Sequence, residues 1–176
     1  MTNKKETDTV EIQPFTSLQQ ALSSLFQNDT RLVQTARISG GDINDAFRLQ
    51  LNDGTVLFMK ANKKENVSFF TAEAAGLAAI AQTGSIRTPR ILGIGTDEGR
   101  GGFSFLLLEY IGSRCRAEGY WEHFGQQLAD LHRADTSAFA PGGIYGFCSD
   151  NYIGSGSQVN RVHHSWICFF RDCRLE

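Results

Sequence analysis

No stretch of this sequence stays apolar for long. The longest such run, "FSFLLLEYI" at residues 103–111, is far too short to span a bilayer. The opening "MTNKKETDTVEIQ" has no apolar centre of the kind a secretory signal carries. Neither sign of charge is in excess. With 17 basic and 19 acidic residues the formal charge is −2, which offers no electrostatic footing for nucleic acid or a membrane surface. The four cysteines, Cys115, Cys148, Cys168 and Cys173, form no C-x-x-C pair, which argues against a zinc ribbon or a thioredoxin-type site. Internal repeats and low-complexity tracts are missing too. These absences leave a soluble cytoplasmic protein as the expectation. One local spacing stands apart: Cys168 follows His164 by one helical turn, half of a metal site. A buried, reduced thiol is the ordinary alternative.

What is present suffices for a core. Hydrophobic residues make up 41% of 176, enough for one domain or two small lobes. Residues 1–13 read as a disordered tail. Thr16 and Gln19 form a T-x-x-Q capping box, and Leu18, Ala21, Leu22, Leu25 and Phe26 recur at helical spacing, so the pattern predicts a helix over 17–27. "RLVQTARIS" and "AFRLQL" are strands separated by Gly40-Gly41. "NDG" at 52–54 is a tight hairpin signal, and "TVLFMKA" returns from it. An alanine-rich helix runs over about 66–83, stopping near Gly84 with Pro89 beyond. "RILGIG" and "FSFLLLEYI" are two further strands. After the polar connector "GSRCRAEG", "YWEHFGQQLADLHR" is an amphipathic helix with Trp121, Phe124, Leu128 and Leu131 on one side. A long Gly/Ser-rich loop follows, and "HHSWICFFRDCRLE" begins another helix.

The chemistry gathers around one lysine. Lys60 shares a strand face with Val56 and Phe58, because side chains alternate, and lysine is rarely buried unpaired. In the next helix Phe69, Phe70, Ala74, Leu77, Ile80 and Ala81 form an apolar stripe, and Glu73 falls inside it. A carboxylate there calls for a cation or donors. Position alone fits two readings: an ion pair between Lys60 and Glu73, or a snorkelling lysine and a solvated glutamate at the stripe edge. "SGGDIN", residues 39–44, lies between two strands just before the Lys60 strand. Glycines there let backbone N–H groups approach a phosphate, although neither G-x-x-x-x-G-K-[ST] nor G-x-G-x-x-G is present. "GIGTDEG" at 93–99 is a strand end plus a turn. The strand ending at Glu109-Tyr110-Ile111 runs into the connector, where free backbone groups suit a purine edge; a plain edge strand is the alternative. Glycine loop, strand lysine, helix glutamate and "LLLEYI", in that order, are the nucleotide-holding half of a protein-kinase-like fold.

"SGGDINDAFRL", "FMKAN", "FFTAEAAGLAAIAQTGSIRTPRILGIG", "FLLLEYI", "FGQQLADLHR" and "DNYIGSGSQVN…SWICFFRDCRLE" together resemble the fructosamine/ketosamine kinase family, from Ser39 to Glu176. The resemblance implies an α+β, protein-kinase-like fold: a five-strand antiparallel N-lobe with one inserted helix over 14–112, followed by a connector and the start of a helical C-lobe over 113–176. It implies ATP and Mg²⁺ as cofactors. The implied reaction moves the γ-phosphate to a sugar hydroxyl of ketosamines, free or protein-bound, as a step in deglycation. By position, Gly40, Gly41 and Asn44 would lie over the phosphates. Lys60 would contact the α/β-phosphates and pair with Glu73. Glu109 C=O and Ile111 N–H would meet the adenine edge with Tyr110 between them, and Phe58 would cover the adenine face. Asp42 stands where some relatives carry cysteine, so a redox role of that loop does not transfer.

The family's H-G-D-x-x-x-x-N loop occurs nowhere in the 176 residues, and the later metal-binding aspartate is missing too. The only Asp-Asn pair, Asp150-Asn151, belongs to a different motif. No catalytic or metal-binding residue is therefore expected in this chain; both are expected beyond Glu176, and the chain reads as an inactive first half. A non-catalytic nucleotide- or partner-binding lobe, or a kinase for an aminoglycoside, choline or a sugar, are the competing readings. Trp166, Phe169, Phe170 and Cys173 place an apolar face on the last helix, so self-association through 160–176, or disorder of that segment, is expected.

Overall fold

The computed structural model describes residues 14–39, 43–99, 101–140 and 142–175. The expected tail lies outside these, as do Gly40, Gly41 and Asp42. The first helix, α1 (Leu18–Leu25), is shorter than its apolar spacing suggests and starts one residue late. Ser17, not Thr16, is the N-cap: its Oγ accepts the Gln20 N–H at 3.1 Å. The Thr16 N–H and hydroxyl both donate to Gln20 Oε1, at 3.0 and 2.7 Å. Both Thr16-x-x-Gln19 and Ser17-x-x-Gln20 satisfy the capping-box pattern, and only the structure separates them.

Three strands follow, β1 (Leu32–Ile38), β2 (Asp45–Leu51) and β3 (Val56–Lys63). The β2–β3 turn is the expected one. Gly54 adopts φ +87°, which favours glycine. Asp53 Oδ1 accepts the Thr55 N–H at 2.8 Å, and that bond holds the Asp53 carboxyl below its ordinary value. Helix α2 (Val67–Gln82) leads to β4 (Ile91–Asp97) and β5 (Phe103–Glu109). The five strands form one antiparallel sheet in the order β1-β2-β3-β5-β4.

Each sheet face carries its own core. On one face Leu49, Leu57, Met59, Phe105 and Leu107 pack under Ala21 and Leu22 of α1. On the other, Ile94, Leu106 and Leu108 pack under Phe70 and Ala74 of α2. β5 contributes to both, so Ser104 to Leu108 are all buried. That is why its sequence is a continuous apolar run and not an alternation. β3, by contrast, alternates buried Leu57, Met59 and Ala61 with half-buried Val56, Phe58 and Lys60.

The glycines of "GIG" serve packing. Phe15 lies parallel to β4 and bridges Gly95, its N–H donating to Ile94 O and its C=O accepting from Thr96 N–H, each at 2.9 Å. A Cβ on Gly95 would stand 2.4 Å from Phe15 O, and one on Gly93 2.7 Å from the Phe15 ring.

Beyond β5 the chain is more open. α3 (Tyr120–Arg133) buries none of its residues, and Trp121 is 63% exposed. Its aromatic end is closed locally by the Arg116 guanidinium, 4.8 Å from the Trp121 ring centre. The Gly/Ser-rich stretch expected as loop holds a small hairpin, β6 (Asn151–Ile153) and β7 (Gly156–Gln158). Its turn uses Gly154 at φ +65°. Three-residue strands are too short to show a period, so their composition reads as loop. The terminal helix α4 (Trp166–Phe170) passes into a π-helical turn over Arg171–Leu175. Of its expected apolar face, Phe169 is buried against Trp166 and His163, whereas Trp166 and Phe170 remain exposed. His164 and Cys168 gain no third ligand: the described residues contain no group of three or more His, Cys, Asp or Glu arranged to hold a metal.

Gly95→Ala is expected to destabilise the protein by about 1–3 kcal/mol through the clash with Phe15 backbone. A lowered urea midpoint checks this; an unchanged midpoint would show that Phe15 does not hold its place on β4.

Candidate functional site

The alternation of β3 turns Phe58 and Lys60 toward α2. That helix, seated by Phe70 and Ala74, turns Glu73 back toward the strand. Lys60 Nζ and Glu73 Oε1 meet at 2.6 Å. Their side chains are 30% and 28% exposed, so the pair is neither a loose surface contact nor sealed in the core. The stripe of α2 needs one correction. Phe70, Ala74 and Leu77 face the sheet, but Ala81 is exposed and Phe69 packs, ring tilted, against Tyr152 of β6. Apolar spacing marked Phe69 as covered without saying by what.

Beside the pair lies a hollow of about 290 Å³ lined by Phe58, Lys60, Glu73, Leu77, Pro89, Leu108, Glu109 and Ile111. Phe58 and Leu108 are directly opposite in the β3–β5 register. The hollow thus has apolar walls, a charged end at Lys60 and Glu73, and the end of β5 along its rim. A flat ring with an anionic tail has the matching chemistry. Tyr110 is not among the lining residues; the Arg48 guanidinium sits 5.7 Å from its ring centre. The Glu109 carboxylate is ion-paired to Arg87 and also accepts the Arg90 N–H at 3.3 Å. Its carboxylate is therefore already engaged by protein donors. Arg87 was not anticipated, since nothing in a turn sequence ties it to a strand residue 22 positions later.

The glycine loop is represented by its descending end. Gly40 and Gly41 lie outside the described residues. Asn44 is held by Asn62, whose Nδ2 donates to Asn44 Oδ1 at 2.6 Å and to Ile43 O at 3.1 Å. Asn62 Oδ1 in turn accepts from Lys63 N–H at 2.7 Å and Asn66 Nδ2 at 2.9 Å. Asn62 therefore ties the loop end to β3 and to the residues that start α2. Sequence reasoning missed it, although its place two residues after Lys60 puts it on the same strand face. A larger hollow, about 650 Å³, lies on the opposite sheet face beside α1; of the expected site residues that are described, it includes Asn44 alone.

A five-strand antiparallel sheet, one helix between its third and fourth strands, and a helix carboxylate paired to a strand lysine define the N-terminal half of a protein-kinase-like fold. Comparison with known proteins gives the particular branch. The fructosamine kinase family model matches residues 14–176, and the chain belongs to that family. A Vibrio cholerae protein named "Probable ketoamine kinase" is 34% identical over 159 residues, covering 89% of this chain and 51% of the relative. The chloroplastic protein-ribulosamine 3-kinase of Oryza sativa subsp. japonica is 36% identical over 146 residues, 83% of this chain and 40% of its own. A crystal structure from Haemophilus somnus 129PT, named "Putative fructosamine-3-kinase", superposes with a TM-score of 0.76 at 29% identity, covering 90% of this chain and 50% of that one. The chain spans about half the length of the curated relatives it matches.

Asn62→Ala removes a donor and an acceptor at once. Amide exchange at residues 43–45 is expected to rise, with a loss of about 1–2 kcal/mol in stability. Exchange indistinguishable from the parent would show that the loop end is held by other means.

Proposed function

We propose that residues 14–112 hold ATP for phosphoryl transfer to a ketosamine, and that residues 113–176 form a connector and the start of a helical lobe. The observation that carries this reading is the Lys60–Glu73 pair beside the hollow walled by Phe58 and Leu108, in a chain of the fructosamine kinase family. In this reading Phe58 covers one adenine face, and Glu109 C=O and Ile111 N–H meet the purine edge on either side of Tyr110. Lys60 binds the α/β-phosphates. Glu73 keeps the ammonium aimed while leaving it protons to donate. Gly40, Gly41 and Asn44 close over the phosphates from the other side.

The reaction moves the terminal phosphoryl group from ATP to a sugar hydroxyl oxygen. The O–P bond to ADP breaks, and the hydroxyl gives its proton to a base. Substrates of the ketoamine and ribulosamine class follow from the names of the relatives, and phosphorylation of such adducts on proteins would serve deglycation. Mg²⁺ would neutralise charge on the phosphates. The described residues contain no group of three or more His, Cys, Asp or Glu that could hold the ion. No H-G-D-x-x-x-x-N loop occurs in the 176 residues; the alternative reading is a lobe that holds nucleotide without turning it over. No helix among the described residues is long and apolar enough to cross a membrane; a cytoplasmic location is part of the proposal.

A fluorescent ATP analogue titrated into the chain tests nucleotide holding. Lys60→Met, which keeps the apolar stem, is expected to weaken binding about tenfold or more. Equal affinity would remove Lys60 from the site. In the same samples, radiolabelled ATP with fructosyl-lysine is expected to yield no phosphorylated product; product above background, abolished by Lys60→Met, would show a complete catalytic centre. The exposed Trp166, Ile167 and Phe170 support self-association with a second copy through 160–176. Light scattering is expected to show Trp166→Glu with Phe170→Glu more monomeric than the parent. A parent chain already monomeric would end that idea.

A further inference from the structure

Glu73 reaches Lys60 from a helix whose seat on the sheet is narrow. Only Phe70 and Ala74 of α2 are fully buried there, with Val67 and Leu77 packed beside them. Phe69 and Glu73, one helical turn apart on the adjoining flank, face a separate hollow of about 260 Å³ that Asn44, Asn151 and Tyr152 also line. Lys60 of β3 meets this flank at Glu73, and the β6–β7 hairpin covers it at Phe69. The Tyr152 ring lies 4.1 Å from the Phe69 ring centre, and its hydroxyl donates to Ser68 Oγ at 3.1 Å. Asn151 Oδ1, beside it, is buried without a hydrogen-bond partner among the described residues, so this wall has an acceptor to spare for a water or a ligand donor. Ser68 and Phe69 belong to the first turn of α2, and Glu73 follows Phe69 one turn on. Tyr152 is a member of neither sheet core. Its contact joins positions 84 residues apart and adds nothing to the closure of the sheet.

We propose that Tyr152 is a positioning residue: through Phe69 and Ser68 it clamps the first turns of α2 so that Glu73 stays against Lys60. The consequence for ligand binding rests on the reading of that pair as the phosphate-holding group; the clamp itself does not. The hairpin lies in the segment after the connector, so it makes the geometry of the Lys60–Glu73 pair depend on how that segment sits.

The test uses the 176-residue chain with Tyr152→Ala, Tyr152→Phe, Glu73→Gln and the Tyr152→Ala/Glu73→Gln double variant. Hydrogen exchange is expected to rise about tenfold for amides 71–76 in Tyr152→Ala, with amides 57–61 and 104–108 unchanged. Tyr152→Phe, which keeps the ring, is expected to stay near the parent. Affinity for a fluorescent ATP analogue is expected to fall about fivefold in Tyr152→Ala and to fall no further when Glu73 is already Gln, the signature of two residues acting through one element. Unchanged exchange over 71–76, equal acceleration in the sheet, or the same loss of affinity in both backgrounds would each overturn the proposal. A parent chain that binds no nucleotide would sink the ATP reading, while the exchange comparison would still decide the role of Tyr152.

Discussion

The contact between Lys60 and Glu73 is the constraint around which the rest is arranged. A lysine on an apolar strand face costs several kcal/mol to desolvate alone, and a carboxylate inside a helix's apolar flank has the same problem. Each is tolerable because the other is 2.6 Å away. This fixes more than a bond. It sets the rotation of α2 about its axis and its height above β3. It also sets which side chains of β3 and β5 are left to wall the hollow beside it.

Around that pair the molecule is asymmetric in how firmly it is held. The sheet has a core on both faces, and β5 is buried from Ser104 to Leu108. The segment after it has an α3 without a buried residue and a terminal helix with one buried ring. The two are joined at α2, where Tyr152 meets Phe69 and Ser68. A site at the border of a firm body and a loose one is placed to respond to what the loose one contacts.

Much of this was legible in the sequence, and the limits follow a pattern. The Lys60–Glu73 contact could be read because each residue breaks a strong period, the strand's alternation or the helix's stripe, and the two breaks explain each other. Periodicity failed where it reports burial without naming the neighbour, as for Phe69, whose cover comes from 83 residues downstream. It failed for Asn62, because a polar residue near a strand end reads as surface and the partners that engage it lie on other segments. The β6–β7 hairpin was hidden by its brevity and its glycines. The cap of α1 was undecidable, since two overlapping tetrapeptides satisfy one rule. Glu109, proposed to act through its backbone C=O, has its carboxylate bound to Arg87, a partner that no local pattern in the sequence names.

The placing of β5 between β3 and β4 has a consequence for assembly. β1, β2 and β3 pair through short turns, and so do β4 and β5, so each group closes at small entropic expense. The β3–β5 seam joins them only after α2 and its flanking turns have been looped out, which makes it the long-range and therefore slow pairing of the sheet. Phe58 and Leu108, the two walls of the hollow, face each other across that seam. The hollow has no existence in either half-sheet. It comes into being with the last closure, so a chain that holds a ligand there has already completed its sheet.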